Sequence, residues 1–142
     1  MPIQCDIVSQ DRMVFSGEAD MVLIPGSEGL MGILQNHSPV LTTFPFGIIT
    51  VIQGSERHYF TVAGGVAEVR PNLITVLADA AENVEELDEA RAEEARQRAE
   101  NLISDTSPTN VLHLDSLRDA LNRSNFRLDA IKRYKRSRKL NP

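Results

Sequence analysis

The sequence predicts an antiparallel β-sandwich or barrel over residues 1–84, followed by an antiparallel two-helix hairpin over residues 85–142. Three observations carry this. All eight glycines lie at or before Gly65, and glycine serves turns while weakening helices. Short β-rich runs with Gly/Pro turns fill the first part, as in sandwiches and barrels. Beyond a boundary near Ala81–Glu85, Ala, Leu, Glu and Arg take over, and apolar residues step by three and four.

Ile3, Cys5 and Ile7 alternate with Gln4 and Asp6 and predict a half-buried strand. Met13-Val14-Phe15 precedes a Ser16-Gly17 turn, and Asp20–Ile24 ends at Pro25-Gly26. Ile48–Ile52 is nearly continuous and predicts a strand buried on both faces. The chain turns at Gln53-Gly54-Ser55 and returns over His58–Ala63. Gly65–Val69 and Leu73–Ala78 form the last expected pair, joined by Arg70-Pro71-Asn72. In the first helix Ala92, Ala95, Ala99 and Leu102 mark one face, with Asp88 in the first turn. Ser104–Asn110 contains Pro108 and breaks the pattern. In the second helix Leu114, Leu117, Leu121, Ser124, Leu128 and Ile131 share a face.

A chain of 142 residues with a net charge of −5 has the composition of an ordinary soluble protein. Its acidity argues against general nucleic-acid binding, and the basic arm lacks interleaved aromatics. Cys5 is the single cysteine, so it reads as a small buried hydrophobe and not as half of an intrachain bridge. No signal-peptide pattern and no run of 18 apolar residues is visible, so any membrane association is expected to go through a partner. The hairpin is electrically split. Its first arm is acidic, while Arg118, Arg123, Arg127, Lys132, Arg133, Lys135, Arg136, Arg138 and Lys139 make the second basic. The arms are expected to attract each other when folded together, and the basic arm to seek an acidic partner when apart.

No catalytic constellation emerges. His37, His58 and His113 lack metal-ligand spacing. Gly26-Ser27-Glu28-Gly29 has neither a nucleophile-elbow frame nor the Lys-Ser/Thr ending of a phosphate loop, so turn glycines explain it better. Asp88 and Arg91 stand three apart on a helix, with Glu82 ahead and Arg98 two turns on. Arg123 and Arg127 share a face of the second helix. Surface ion pairs are the simpler reading of these charges. Guanidinium forks converging on phosphate are the sharper one.

Gly26-Ser27-Glu28-Gly29-Leu30-Met31-Gly32-Ile33-Leu34, followed by His37-Ser38-Pro39-Val40-Leu41-Thr42, resembles a pattern of the ε subunits of bacterial F-type ATP synthases. Ala63–Asn72 and Thr75–Glu82 are similar to two further segments of that family, in its order and spacing. The resemblance covers about residues 1–134. It implies a ten-stranded antiparallel sandwich joining the central-stalk γ subunit to the rotor ring of c subunits. Ser27, Glu28, Leu30, Met31 and His37 are the implied stalk or ring contacts. It implies a non-catalytic subunit of a proton- or sodium-driven synthase, peripheral on the cytoplasmic face of the cell membrane. Its mobile hairpin would extend toward the α and β subunits and block hydrolysis, with Arg118, Lys132, Arg133, Lys135 and Arg136 as the inhibitory arm.

Leu87-Asp88-Glu89-Ala90-Arg91-Ala92 matches the ATP-sensing motif (I/L)DxxRA of some members. The implied ATP site comprises Glu82, Asp88, Arg91, Ala92, Arg98, Arg123 and Arg127, with ATP as a regulatory ligand, with or without Mg. An ATP sensor acting mainly in assembly is the alternative. The sequence departs from the family at Gln35-Asn36, where Pro-Gly is usual, and at apolar Leu30 and Met31. Its Ser104–Leu114 connector looks long, and its basic tail from Lys135 to Pro142 suits acidic protein or lipid surfaces, with a solvated and disordered tail as the simpler expectation.

Overall fold

The computed structural model describes residues 2–140. Eight strands come first: β1 (Ile3–Val8), β2 (Met13–Ala19), β3 (Met21–Gly26), β4 (Gly29–Ile33), β5 (Val40–Gln53), β6 (Glu56–Val69), β7 (Leu73–Ala78) and β8 (Ala81–Asn83). A 3-10 turn (Val84–Glu86) then leads into α1 (Glu89–Asp105) and α2 (Val111–Leu140). The strand order is β2-β1-β7-β6-β5-β3-β4, with β8 also on β6.

The count is eight where ten strands were expected, because β5 and β6 each run through both layers of the sandwich. Phe44 faces Gly65 and Phe46 faces Ala63, which leaves Pro45 at the break. Proline has no N–H for the ladder. Here β6 exchanges partners: Phe60–Val62 pair with β8, and Gly65–Val69 pair with β7. Gly64 takes a φ of +94° that favours glycine. A Cβ on Gly65 would lie 2.2 Å from the Leu77 carbonyl oxygen. The bend therefore needs both glycines. One strand pair also departs from the antiparallel expectation, since β1 runs parallel to β7.

The layers close on a core of Ile3, Cys5 and Ile7 from β1, Val22 and Ile24 from β3, and Ile49, Val51, Phe60, Val69, Ile74 and Val76. Complete burial of such side chains contributes about 1.5–3 kcal/mol each. Ile48, Ile49, Thr50 and Val51 are consecutively buried, as expected for a strand covered on both faces. Ile49 and Val51 enter the sandwich core, while Ile48 and Tyr59 lie on the outer face under α2.

There α2 packs Phe126, Ala130, Ile131 and Tyr134 against Ile48, Tyr59, Val84 and Leu87. Phe126 stacks on Phe46, with ring centroids 6.4 Å apart. Ala92 and Ala99 of α1, and Leu114, Leu117 and Ser124 of α2, are buried as their spacing predicts, whereas Leu102, expected on the same face of α1, lies near its end and is 43% exposed. The connector is residues 106–110, shorter than its sequence suggested, because α2 starts at Val111, soon after Pro108. Asp88 is the N-cap of α1 and not a first-turn residue; its Oδ1 accepts from the amides of Ala90 and Arg91. The tail expected to be disordered is helical through Leu140, continuing α2, with Arg138 lying 6.0 Å from the Tyr134 ring centroid. Asn141 and Pro142 lie outside the described residues.

Candidate functional site

β8 creates the first wall of a cleft. The register Thr61↔Glu82 places Glu82 on the outer face, toward α2. Its carboxylate accepts from Arg127 Nε at 2.8 Å and Nη2 at 3.0 Å. The Thr61 hydroxyl donates to it at 3.4 Å. This paired fork ties the sandwich edge to α2, and its half-buried setting makes it stronger than a typical surface pair.

The chain next makes the 3-10 turn. The Asn83 side chain caps it by accepting from the Glu85 amide at 2.9 Å, and Val84 is buried beneath it. Leu87 leaves the turn and Asp88 starts α1. Arg91 and Ala92 follow one turn on, with Ala95 and Arg98 beyond them on the same side. These side chains, with Glu82 and Arg127, enclose a cleft of about 370 Å³. Such a volume lies in the range of small-molecule sites.

Six of the seven residues implied for ATP thus line one cleft: Glu82, Asp88, Arg91, Ala92, Arg98 and Arg127. Arg123 does not. It lines a neighbouring hollow of about 160 Å³ between the helices, which shares Arg98 and Arg127 with the cleft. Arg91, Arg98 and Arg123 make no ion pair among the described residues. Three uncommitted guanidiniums therefore flank one committed pair. Asp88 spends Oδ1 on the helix cap, which leaves Oδ2 for another partner. Glu86, Glu94 and Ala95 also line the cleft and were not among the expected residues. Glu86 adjoins the Leu87–Ala92 motif, and Ala95 continues the stripe of small residues, so both carried a local signal.

Other expected residues lie elsewhere. Ser27, Glu28 and Leu30 are exposed at the β3–β4 turn, with Leu30 62% exposed, whereas Met31 packs on the core. His37 sits in the loop before β5, with Nδ1 2.7 Å from the Ser38 carbonyl. The preceding Asn36 has a φ of 65°, a left-handed conformation that asparagine tolerates, and its amide donates to the Pro71 carbonyl at 2.7 Å. Arg118, Lys132 and Arg136 are exposed along α2.

The expected mutual attraction of the two arms is narrow. Arg96 pairs with Glu93 and Glu100 within α1, and Arg133 with Asp129 within α2. The Arg96 contact also holds the exposed Glu93 carboxyl below its ordinary value, with a smaller contribution from Lys132. Among the described residues, the one ion pair between the helices is Lys135–Glu89. The three- and four-residue periodicity that aligns charges along one helix favours local pairs over cross-helix ones.

The family model for the ATP synthase delta/epsilon chain β-sandwich domain matches residues 2–84. That for the long α-helix domain of the same chain matches residues 85–132. The chain belongs to the ATP synthase delta/epsilon family. It is 42% identical over 132 residues to the ATP synthase epsilon chain of Herpetosiphon aurantiacus, covering 93% of this chain and 96% of that one. It is 47% identical over 103 residues to the epsilon chain of Dehalococcoides mccartyi, covering 72% and 74%. These identities place it with the bacterial-type epsilon chains. A chain of the Euglena gracilis mitochondrial ATP synthase, solved as its OSCP/F1/c-ring assembly, superposes with a TM-score of 0.74 at 22% identity. That match covers 87% of this chain and 78% of the other, and shows a shared fold.

Proposed function

We propose that the chain is a non-catalytic central-stalk subunit that restrains ATP hydrolysis through its hairpin, and that ATP in the cleft holds the hairpin docked. The carrying observation is the make-up of the cleft. Its walls come from β8, the turn before α1, α1 itself and α2, so it exists as a unit only while the hairpin lies on the sandwich. A ligand that binds one of two states shifts the equilibrium toward that state. Arg91, Arg98 and Arg123 suit phosphate oxygens, and Arg127 is within the same group. The stretch Leu87–Ala92, with Oδ2 of Asp88, would meet the nucleoside end. ATP serves here as a ligand, with or without Mg, and no hydrolysis by this chain is involved.

Without ATP, the hairpin is released and α2 presents Arg118, Lys132, Arg133, Lys135 and Arg136 to acidic surfaces of the α and β subunits. Two features support the stalk role. The helices cover one outer face of the sandwich, while the outer face of the β5–β6–β7 half keeps Leu41 72% and Leu77 54% exposed. This face would receive the γ subunit. The apolar Leu30 at the β3–β4 turn would rest on the c-ring, beside Ser27 and Glu28. The Euglena structure contains a c-ring. Among the described residues no helix is long and apolar enough to cross a membrane. On this reading the subunit is peripheral, on the cytoplasmic face, and held there by its partners.

Calorimetric titration of the full chain with ATP, with and without Mg²⁺, tests the clamp. Saturable heat is expected, and Arg91→Ala should weaken it at least about tenfold, since charge-assisted hydrogen bonds are worth roughly 1.5–3 kcal/mol each. No heat from the parent chain would remove the ATP clamp and leave the family assignment intact.

A further inference from the structure

We propose that Arg12, far from the cleft in sequence, is a positioning residue of the nucleotide site: it neutralises Glu86 at the rim so that the cleft accepts a polyphosphate. This rests on the ATP reading above. Four carboxylates, Glu82, Glu86, Asp88 and Glu94, line the cleft against three guanidiniums. A polyphosphate would meet net repulsion if all four carboxylates stood free. Two are already answered within the wall. Glu82 is held by Arg127, and Asp88 by the first amides of α1. The answer to Glu86 comes from outside the cleft. Arg12, in the turn between β1 and β2, places Nη2 3.2 Å from Oε2 of Glu86.

Both ends of this pair are anchored. The carbonyl of Arg12 accepts from the Ser9 amide at 2.9 Å and from the Ser9 hydroxyl at 3.3 Å, which closes the turn that carries it. Glu86 stands on the 3-10 turn, whose Val84 is 3% exposed and whose carbonyl at Val84 accepts from the Leu87 amide at 3.0 Å. The side chains themselves are 54% and 58% exposed. Such a pair adds little to folding stability. Its effect on an incoming anion is different in kind. An unscreened Glu86 would act at cleft distances, within the Debye length of about 10 Å at 0.1 M salt. Glu94 makes no ion pair among the described residues, so Arg12 decides how the balance of the rim falls.

The test measures ATP affinity of the full chain for four proteins: parent, Arg12→Ala, Glu86→Gln and the double variant. At low ionic strength Arg12→Ala should bind roughly threefold to tenfold more weakly, and the gap should close as salt rises. Glu86→Gln should bind as tightly as the parent or more tightly, and the double variant should return to parent affinity. Arg12→Lys, which keeps the charge, should retain most of it. If Glu86→Gln weakens binding as much as Arg12→Ala and the double variant does not recover, the pair is merely a structural tether and the proposal falls. It also falls if Arg12→Ala binds like a parent that binds ATP. A parent that does not bind ATP overturns the underlying reading, and this inference with it.

Discussion

Cys5 is fully buried in β1, and that burial, with Asp6 beside it as a smaller cause, pushes its thiol from the ordinary 9.0 up to about 12. The thiol is thus protonated wherever the fold is intact, and it is chemically quiet. The unfolded chain releases this proton near pH 9.0, the folded chain only near 12. The folded state binds more protons in that interval, so stability falls as pH rises through it. Below pH 9.0 Cys5 contributes its full share. Denaturant titrations at increasing pH should show a shallower alkaline decline for Cys5→Ala than for the parent. Equal slopes would mean that the thiol is not buried as described. A thiol reagent at neutral pH should label the denatured protein and leave the native one almost untouched. Arg12 makes the opposite point at the same scale. Nothing near it in the sequence marks it, because its partner Glu86 is 74 residues away and is brought close only by the fold.

Among the elements, α2 holds the hairpin in place. Its Phe126, Ala130, Ile131 and Tyr134 sit on the outer face of β5 and β6, whereas α1 leans mainly on α2 through Ala92 and Ala99. Alanines bury little area, so this helix pair is weakly held by comparison with the sheet. Truncating a buried isoleucine to alanine costs about 2–5 kcal/mol. At Ile131, which is 6% exposed, that loss falls on docking and not on the sandwich core. Hydrogen exchange should therefore accelerate throughout α1 and α2 in Ile131→Ala, while β5, β6 and β7 keep their protection. Uniform loss across both parts would show that the hairpin and sandwich unfold as one unit.

For the whole molecule, the sandwich closes its own core from β1 to β8, with no helical residue in that cluster. Removing the chain from Asp88 onward should leave a folded sandwich, seen as a retained β-type circular dichroism spectrum and a cooperative melt. The same cut uncovers Ile48, Tyr59 and Val84, now buried under α2. The truncated protein should consequently self-associate more readily at high concentration. In the assembled synthase the proposed inhibitory role of the hairpin predicts that this cut raises the rate of ATP hydrolysis. Hydrolysis that stays at the parent rate would argue against an inhibitory hairpin.

The glycine distribution and the alternation at Ile3–Ile7 determined a β part before a helical part, because backbone freedom and side-chain period are local properties. The spacing of Ala92 and Ala99, and of Leu114, Leu117 and Ile131, likewise selected the buried faces of both helices. The run Leu87–Ala92 pointed to the cleft through its resemblance to the (I/L)DxxRA motif, and Leu87, Asp88, Arg91 and Ala92 of that run line it. What the sequence left open depends on distance in space. Whether β5 is one strand or two turns on the break at Pro45 and Gly64, which the β5–β6 register passes over. Whether Glu82 faces the core or the helix turns on the register of β8 against β6. That Arg127 reaches Glu82, that Arg123 stands one hollow away, and that Arg12 reaches Glu86 were all decided by how α2 and the first turn lie against the sandwich. Periodicity fixes which side of an element is buried, and only packing fixes what that side meets.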